Sequence, residues 1–147
     1  MADWNDLRTG FEFDRWATTL WRECLDKKGA GDPDRAILGH ILSAQKVWLT
    51  RCYGTSLDKM PEVDPTQEAI DSLNKGWLEA LEQFRDDPIV AFRRTTGEAY
   101  QLPLSEIVLH VLNHGTYHRG ELRGLCRSRD DNDFPETDRG RYMLLNS

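Results

Sequence analysis

The sequence predicts an all-α fold, a bundle of four helices with a short β-hairpin inserted before the last long helix. Three observations predict it. Leucines number 18 against 10 valines and isoleucines together, a balance that favours helix over sheet. Apolar residues recur at helical spacing in four segments. Breaks rich in Gly and Pro separate those segments. The 147 residues suit one domain spanning 1–147 with a sizeable core, and they contain no internal repeat.

The first helix is expected from about Leu7 to Lys27. Phe13, Trp16, Ala17, Leu20, Trp21 and Cys24 make its apolar face, and Gly29 and Gly31 serve the turn after it. The second opens with Asp32 as N-cap and Pro33 at the first helical position. Its inward stripe is Ile37, His40, Ile41, Ala44, Val47 and Trp48. Cys52 to Val63, with Gly54, Ser56 and Pro61, reads as a loop. In the third helix Asp64 caps, Pro65 follows and Gln67 completes a capping box. Its stripe is Ile70, Leu73, Trp77, Leu81 and Phe84, and it ends near Asp86. Ile89–Arg94 and Ala99–Leu102 flank a Gly-containing turn and predict the hairpin. The fourth helix runs from near Pro103 to about Arg127. Ser128 to Pro135 is a polar loop, and Tyr142, Met143, Leu144 and Leu145 are expected to dock back as a short terminal segment.

Charge and cysteine usage narrow the function. The net charge is −6 with no clustered basic face, which disfavours nucleic acid as a partner. No apolar run approaches the roughly 20 residues that span a bilayer. The beginning, MADWNDLRTG, lacks a basic start followed by an apolar stretch, so a cytoplasmic location is expected. Cys24, Cys52 and Cys126 are odd in number and widely spaced, which predicts reduced thiols rather than disulfides or a cysteine zinc site.

All four histidines fall on predicted helices, and three of them, His110, His114 and His118, are four residues apart. At about 100° per residue, with His114 at zero, His118 lies near +40° and His110 near −40°. Ile107 at about +20° and Val111 at about +60° share that sector, which places the histidines on the apolar face. Histidines at i and i+4 let two imidazoles converge on one ion, and a third from another helix completes a site with open positions. His40 is the histidine outside this helix, so the geometric candidate is His40, His114 and His118 around one divalent cation. The competing reading is four hydrogen-bonded core histidines. His110 is left outside the ligand set, as a further ligand, a residue behind the ligands or a substrate-facing base. The motif is HGTYH. Gly115 stands where a zinc protease would carry its glutamate, which argues against a protease mechanism. Glu121, at about −20° in the same frame, is the candidate general base. Pairing with Arg119 or Arg123 is its other reading.

The segment LHVLNHGTYHRGELRGL resembles the signature of the DinB-like family, H-x-x-N-H-x-x-x-H-R-G-Q. FDRWATTLW resembles that family's first helix, and GHILSAQKVWL its second. FRRTTGEAYQLPLSEI is similar to the segment before the motif helix, and PETDRGRYML to the usual ending. The resemblance implies a four-helix bundle with up-down-down-up connectivity. It also implies a metal triad at His40, His114 and His118, zinc or nickel as the ion, and a homodimer. Relatives in the family include transferases and isomerases that use small thiols such as mycothiol and bacillithiol. This chain departs from the pattern at Glu121, where the family usually has Gln. A carboxylate there can serve as a fourth ligand or as a base.

The expected function is a divalent-metal-dependent enzyme, a thiol S-transferase or hydrolase acting on a small electrophile, with a low-molecular-weight thiol as co-substrate. The alternatives are a non-catalytic metal-binding stress protein, in which the ion stabilises the bundle, and an interaction module with core histidines.

Overall fold

In the computed structural model, which describes residues 3–147, Asp3 caps α1 (Trp4–Lys28) by accepting a hydrogen bond from the Asn5 N–H. The helix starts three residues ahead of the expected Leu7, because Trp4 is already anchored. Its indole N–H donates to the Leu81 carbonyl at 2.6 Å. Gly29, at φ 63°, ends the helix in the left-handed conformation that glycine adopts without strain.

Two helix starts differ from expectation. In α2 (Asp34–Cys52) Pro33 occupies the N-cap, with no side-chain cap bond, and the helix begins one residue later. In α3 (Gln67–Gln83) the cap is Thr66, whose hydroxyl accepts from the Ala69 N–H at 3.1 Å. Asp64 does not cap, and Gln67 closes no capping box. Its amide instead accepts from Arg22 Nε at 2.8 Å and donates to Thr19 Oγ1 at 3.0 Å. The reason lies in the segment before it. Val63 passes so close to Gly39 of α2 that a Cβ at position 39 would sit 3.0 Å from the Val63 carbonyl oxygen. Pro65 is buried beside it, so the chain stays extended until Thr66.

The hairpin forms as expected, β1 (Ile89–Arg93) antiparallel to β2 (Ala99–Pro103), with Ile89 opposite Pro103 and Arg93 opposite Ala99. The fourth long helix, α4, spans Leu104–Ser128. A seven-residue α5 (Arg139–Leu145) follows, capped by Asp138. The expected docking of Tyr142 to Leu145 is partial. Tyr142 rests on Phe13 and Trp16, but Met143, Leu144 and Leu145 face solvent. Four successive residues cannot share one face of a helix.

Contacts at the helix ends fix the topology. Trp4–Leu81 and Arg22–Gln67 make α1 and α3 antiparallel. Arg35–Asp64 and Tyr53–Phe84 make α2 and α3 parallel. Gly10 lies against Leu112 and Lys28 pairs with Asp131, so α1 and α4 are parallel. Asp34–Arg129 and Trp48–His110 make α2 and α4 antiparallel. The connectivity is up-down-down-up, with α1 and α2 diagonal and each packed against both α3 and α4.

The core has two apolar clusters. One, toward the hairpin, includes Leu7, Phe11, Trp77, Leu81, Phe92 and Ile107. The other, at the far end, includes Trp21, Leu25, Leu38, Ile41 and Leu122. The buried face of α1 includes Asp14 and Thr18, whereas Trp16, Leu20 and Cys24 of the expected stripe are only partly buried. The cysteines are free thiols, with Cys52 and Cys126 buried. No helix among the described residues is long and apolar enough to cross a membrane.

Candidate metal centre

The i, i+4 spacing stacks His110, His114 and His118 along α4, and the antiparallel α2 brings His40 across from them. The His40 and His114 Nε2 atoms are 3.2 Å apart. Ring centroids lie 4.9 Å apart for His40–His114, 4.7 Å for His40–His118 and 4.5 Å for His114–His118. One nitrogen from each of the three rings falls within 4.8 Å of the others, and no carboxylate or thiol among the described residues joins this group. Imidazole nitrogens at that separation are a donor set suited to zinc or nickel.

These rings do not lie in the core, contrary to the expectation from the helical wheel. His40 is exposed, and His114 and His118 are partly buried. The buried residues of α4, among them Val108, Gly115, Leu122 and Cys126, centre roughly a quarter-turn from the histidines at 100° per residue. Ile107 and Val111 lie on the boundary between the two sectors. The histidines therefore lie along the seam between α2 and α4, on its solvent-facing side.

Burial, reinforced by the positive form of the neighbouring His118, His40 and His110, pushes His114 down to about 4. Burial also lowers His40, with His118 adding to the effect and Glu121 opposing it. At neutral pH both rings are uncharged and keep a lone pair for a ligand bond. Glu121 does not enter the nitrogen cluster. Its Oε1 lies 2.9 Å from His118 Nδ1, which leaves His118 Nε2 for an ion. His110 also stands outside, 5.8 Å from His114 between ring centroids and edge-on to Trp48 at 5.2 Å.

Sequence reasoning missed a buried polar network behind the histidines. Arg119 Nη1 donates to Asp14 Oδ1 at 2.7 Å and to Thr18 Oγ1 at 3.1 Å. The other Asp14 oxygen accepts from Gln45 Nε2 at 2.7 Å. Gly115 makes room for this network, since a Cβ there would sit 2.7 Å from Asp14 Oδ1 and 3.0 Å from Arg119 Nη1. The signal was Asp14 itself, a carboxylate beside Phe13 and Ala17 on an apolar helix face, which needs a partner when buried.

A model of the DinB family matches residues 16–128 of the chain. Protein DinB of Bacillus subtilis (strain 168) is 23% identical over 124 residues, covering 74% of this chain and 71% of its own. No solved structure matches the chain.

Proposed function

This chain belongs to the DinB family, and on that premise we propose that it is a metal-dependent transferase or hydrolase in which His40, His114 and His118 hold one divalent ion. The carrying observation is the donor set, three imidazoles with no anionic ligand among the described residues, on the solvent-facing side of the α2–α4 seam. A divalent ion held by neutral ligands supplies Lewis acidity and lowers the pKa of a thiol or water, which makes a nucleophile at neutral pH.

The protein's own groups support that use. Partial desolvation lowers both His40 and His114, and His118 adds to the effect on each. Glu121 accepts from His118 Nδ1–H and fixes the ring that presents Nε2 to the cluster. Cys52 is buried, with its thiol pushed up to about 12, a poor nucleophile at neutral pH. The nucleophile in this reading is therefore external, a small thiol or water, and the substrate is a small electrophile approaching from the exposed His40 side.

Elemental analysis of untagged protein tests the site, with an expected content of about one divalent ion per chain. His114→Ala should lose it, and a full equivalent retained after dialysis would overturn the assignment. Conjugation of a small thiol to an electrophile should vanish on chelation and return with metal. Stoichiometric metal with no turnover on any thiol or hydrolytic substrate would assign the ion a structural role instead.

A further inference from the structure

Arg51, one residue before the end of α2, is 6% exposed. Its guanidinium lies 4.4 Å from the centroid of the Trp48 ring and 5.0 Å from that of Phe92. Its Nε is buried without a hydrogen-bond partner. Among the described residues no carboxylate pairs with it, and the neighbouring charge that acts on it is another cation, Arg94. A buried, unpaired cation is unfavourable for folding, and stacking on two rings offsets only part of that.

The location explains why such a charge is useful. The Trp48 ring that carries Arg51 also packs against His110, and His110 packs against His114. Arg51 is thus reached from the histidine cluster across two side chains of the same α2–α4 seam, beside the hairpin residue Phe92. Guanidinium presents a planar fork of N–H donors that matches the oxygens of a carboxylate or phosphate.

We propose that Arg51 is the anion-recognition point of this seam, binding an oxyanion group, carboxylate or phosphate, of the small molecule whose reactive atom lies at His40, His114 and His118. The inference rests on the functional reading above and narrows the substrate or thiol to an anionic one.

The test titrates inorganic phosphate and succinate separately into metal-loaded and metal-free protein, reading the indole N–H resonances by nuclear magnetic resonance. The Trp48 resonance should shift saturably at millimolar anion, while those of Trp21 and Trp77 stay in place. Phosphate alone acting would indicate a phosphate-bearing ligand, and succinate alone a carboxylate. Arg51→Met keeps the bulk over both rings and removes the charge. It should weaken binding at least about tenfold and leave the thermal midpoint unchanged or higher. Arg51→Lys, which keeps the charge without the fork, should be intermediate and serves if the Met variant does not fold. Binding must persist in metal-free protein, which separates this proposal from the metal assignment. Absence of a Trp48 shift, equal binding by Arg51→Met, or a shift that requires metal would each overturn it.

Discussion

Glu121 tests how a single side chain acts through a ligand ring. With Oε1 at 2.9 Å from His118 Nδ1, its carboxylate holds the ring that must point Nε2 at the ion. Glu121→Gln keeps an acceptor there and should change zinc affinity only a few-fold, whereas Glu121→Ala should weaken it about 10–100-fold. Competition against a chromophoric chelator measures both, and equal affinity in all three proteins would remove Glu121 from the centre. His114 sets a pH dependence. Its folded pKa of about 4 lies below the unfolded 6.5, so the unfolded chain binds more protons between those values. The contribution of a neutral His114 is complete above pH 6.5, falls as pH drops toward 4 and is gone below it. Urea midpoints of metal-free protein should fall across that window, and His114→Gln should flatten part of the slope. An unchanged slope in the variant would refute the assignment. The residue types of the cluster were legible in the sequence because the i, i+4 spacing carries them. Their exposure was not, because Ile107 and Val111 border the histidine sector as well as the core.

The buried network links three helices, α1 through Asp14, α2 through Gln45 and α4 through Arg119. The Arg119 and Asp14 side chains are 2% and 7% exposed, so solvent cannot replace either partner. Arg119→Met should lower stability by about 3–5 kcal/mol, because it leaves Asp14 buried and unpaired. Adding Asp14→Leu should restore most of that loss, and chemical denaturation of the single and double variants decides the matter. No recovery in the double variant would mean that Arg119 acts through packing rather than charge. Helix bodies and the start of α4 were readable, but the caps of α2 and α3 were not. Asp32-Pro33 and Asp64-Pro65 both carry start signals, yet Val63 lying on Gly39 delays α3 to Gln67. That contact joins residues far apart in the chain, which local signals cannot register.

At the scale of the molecule, the four long helices, the hairpin and their order followed from apolar spacing and breaks, whereas the terminal segment was not read as the helix α5 that it forms. The up-down-down-up path came from resemblance and is fixed in the structure by long-range pairs such as Trp4–Leu81 and Asp34–Arg129. We propose a homodimer in solution, in keeping with the resemblance and with the solvent-facing Met143, Leu144 and Leu145. Sedimentation at micromolar concentration should give twice the chain mass of 17.0 kDa, and a single species of one chain would refute it. Gly115 has a further consequence. It sits between two of the clustered histidines in sequence, yet what it accommodates lies about a quarter-turn round α4 from them, the Asp14 carboxylate and the Arg119 head. Anchoring of α4 and presentation of donors thus fall to adjacent flanks of one helix. A protein engineer could exchange the side chains at 40, 110, 114 and 118 for another donor set, leaving 14, 115 and 119 as an unaltered mount. The bundle would then act as a socket whose fitting is replaceable without rebuilding the wall behind it.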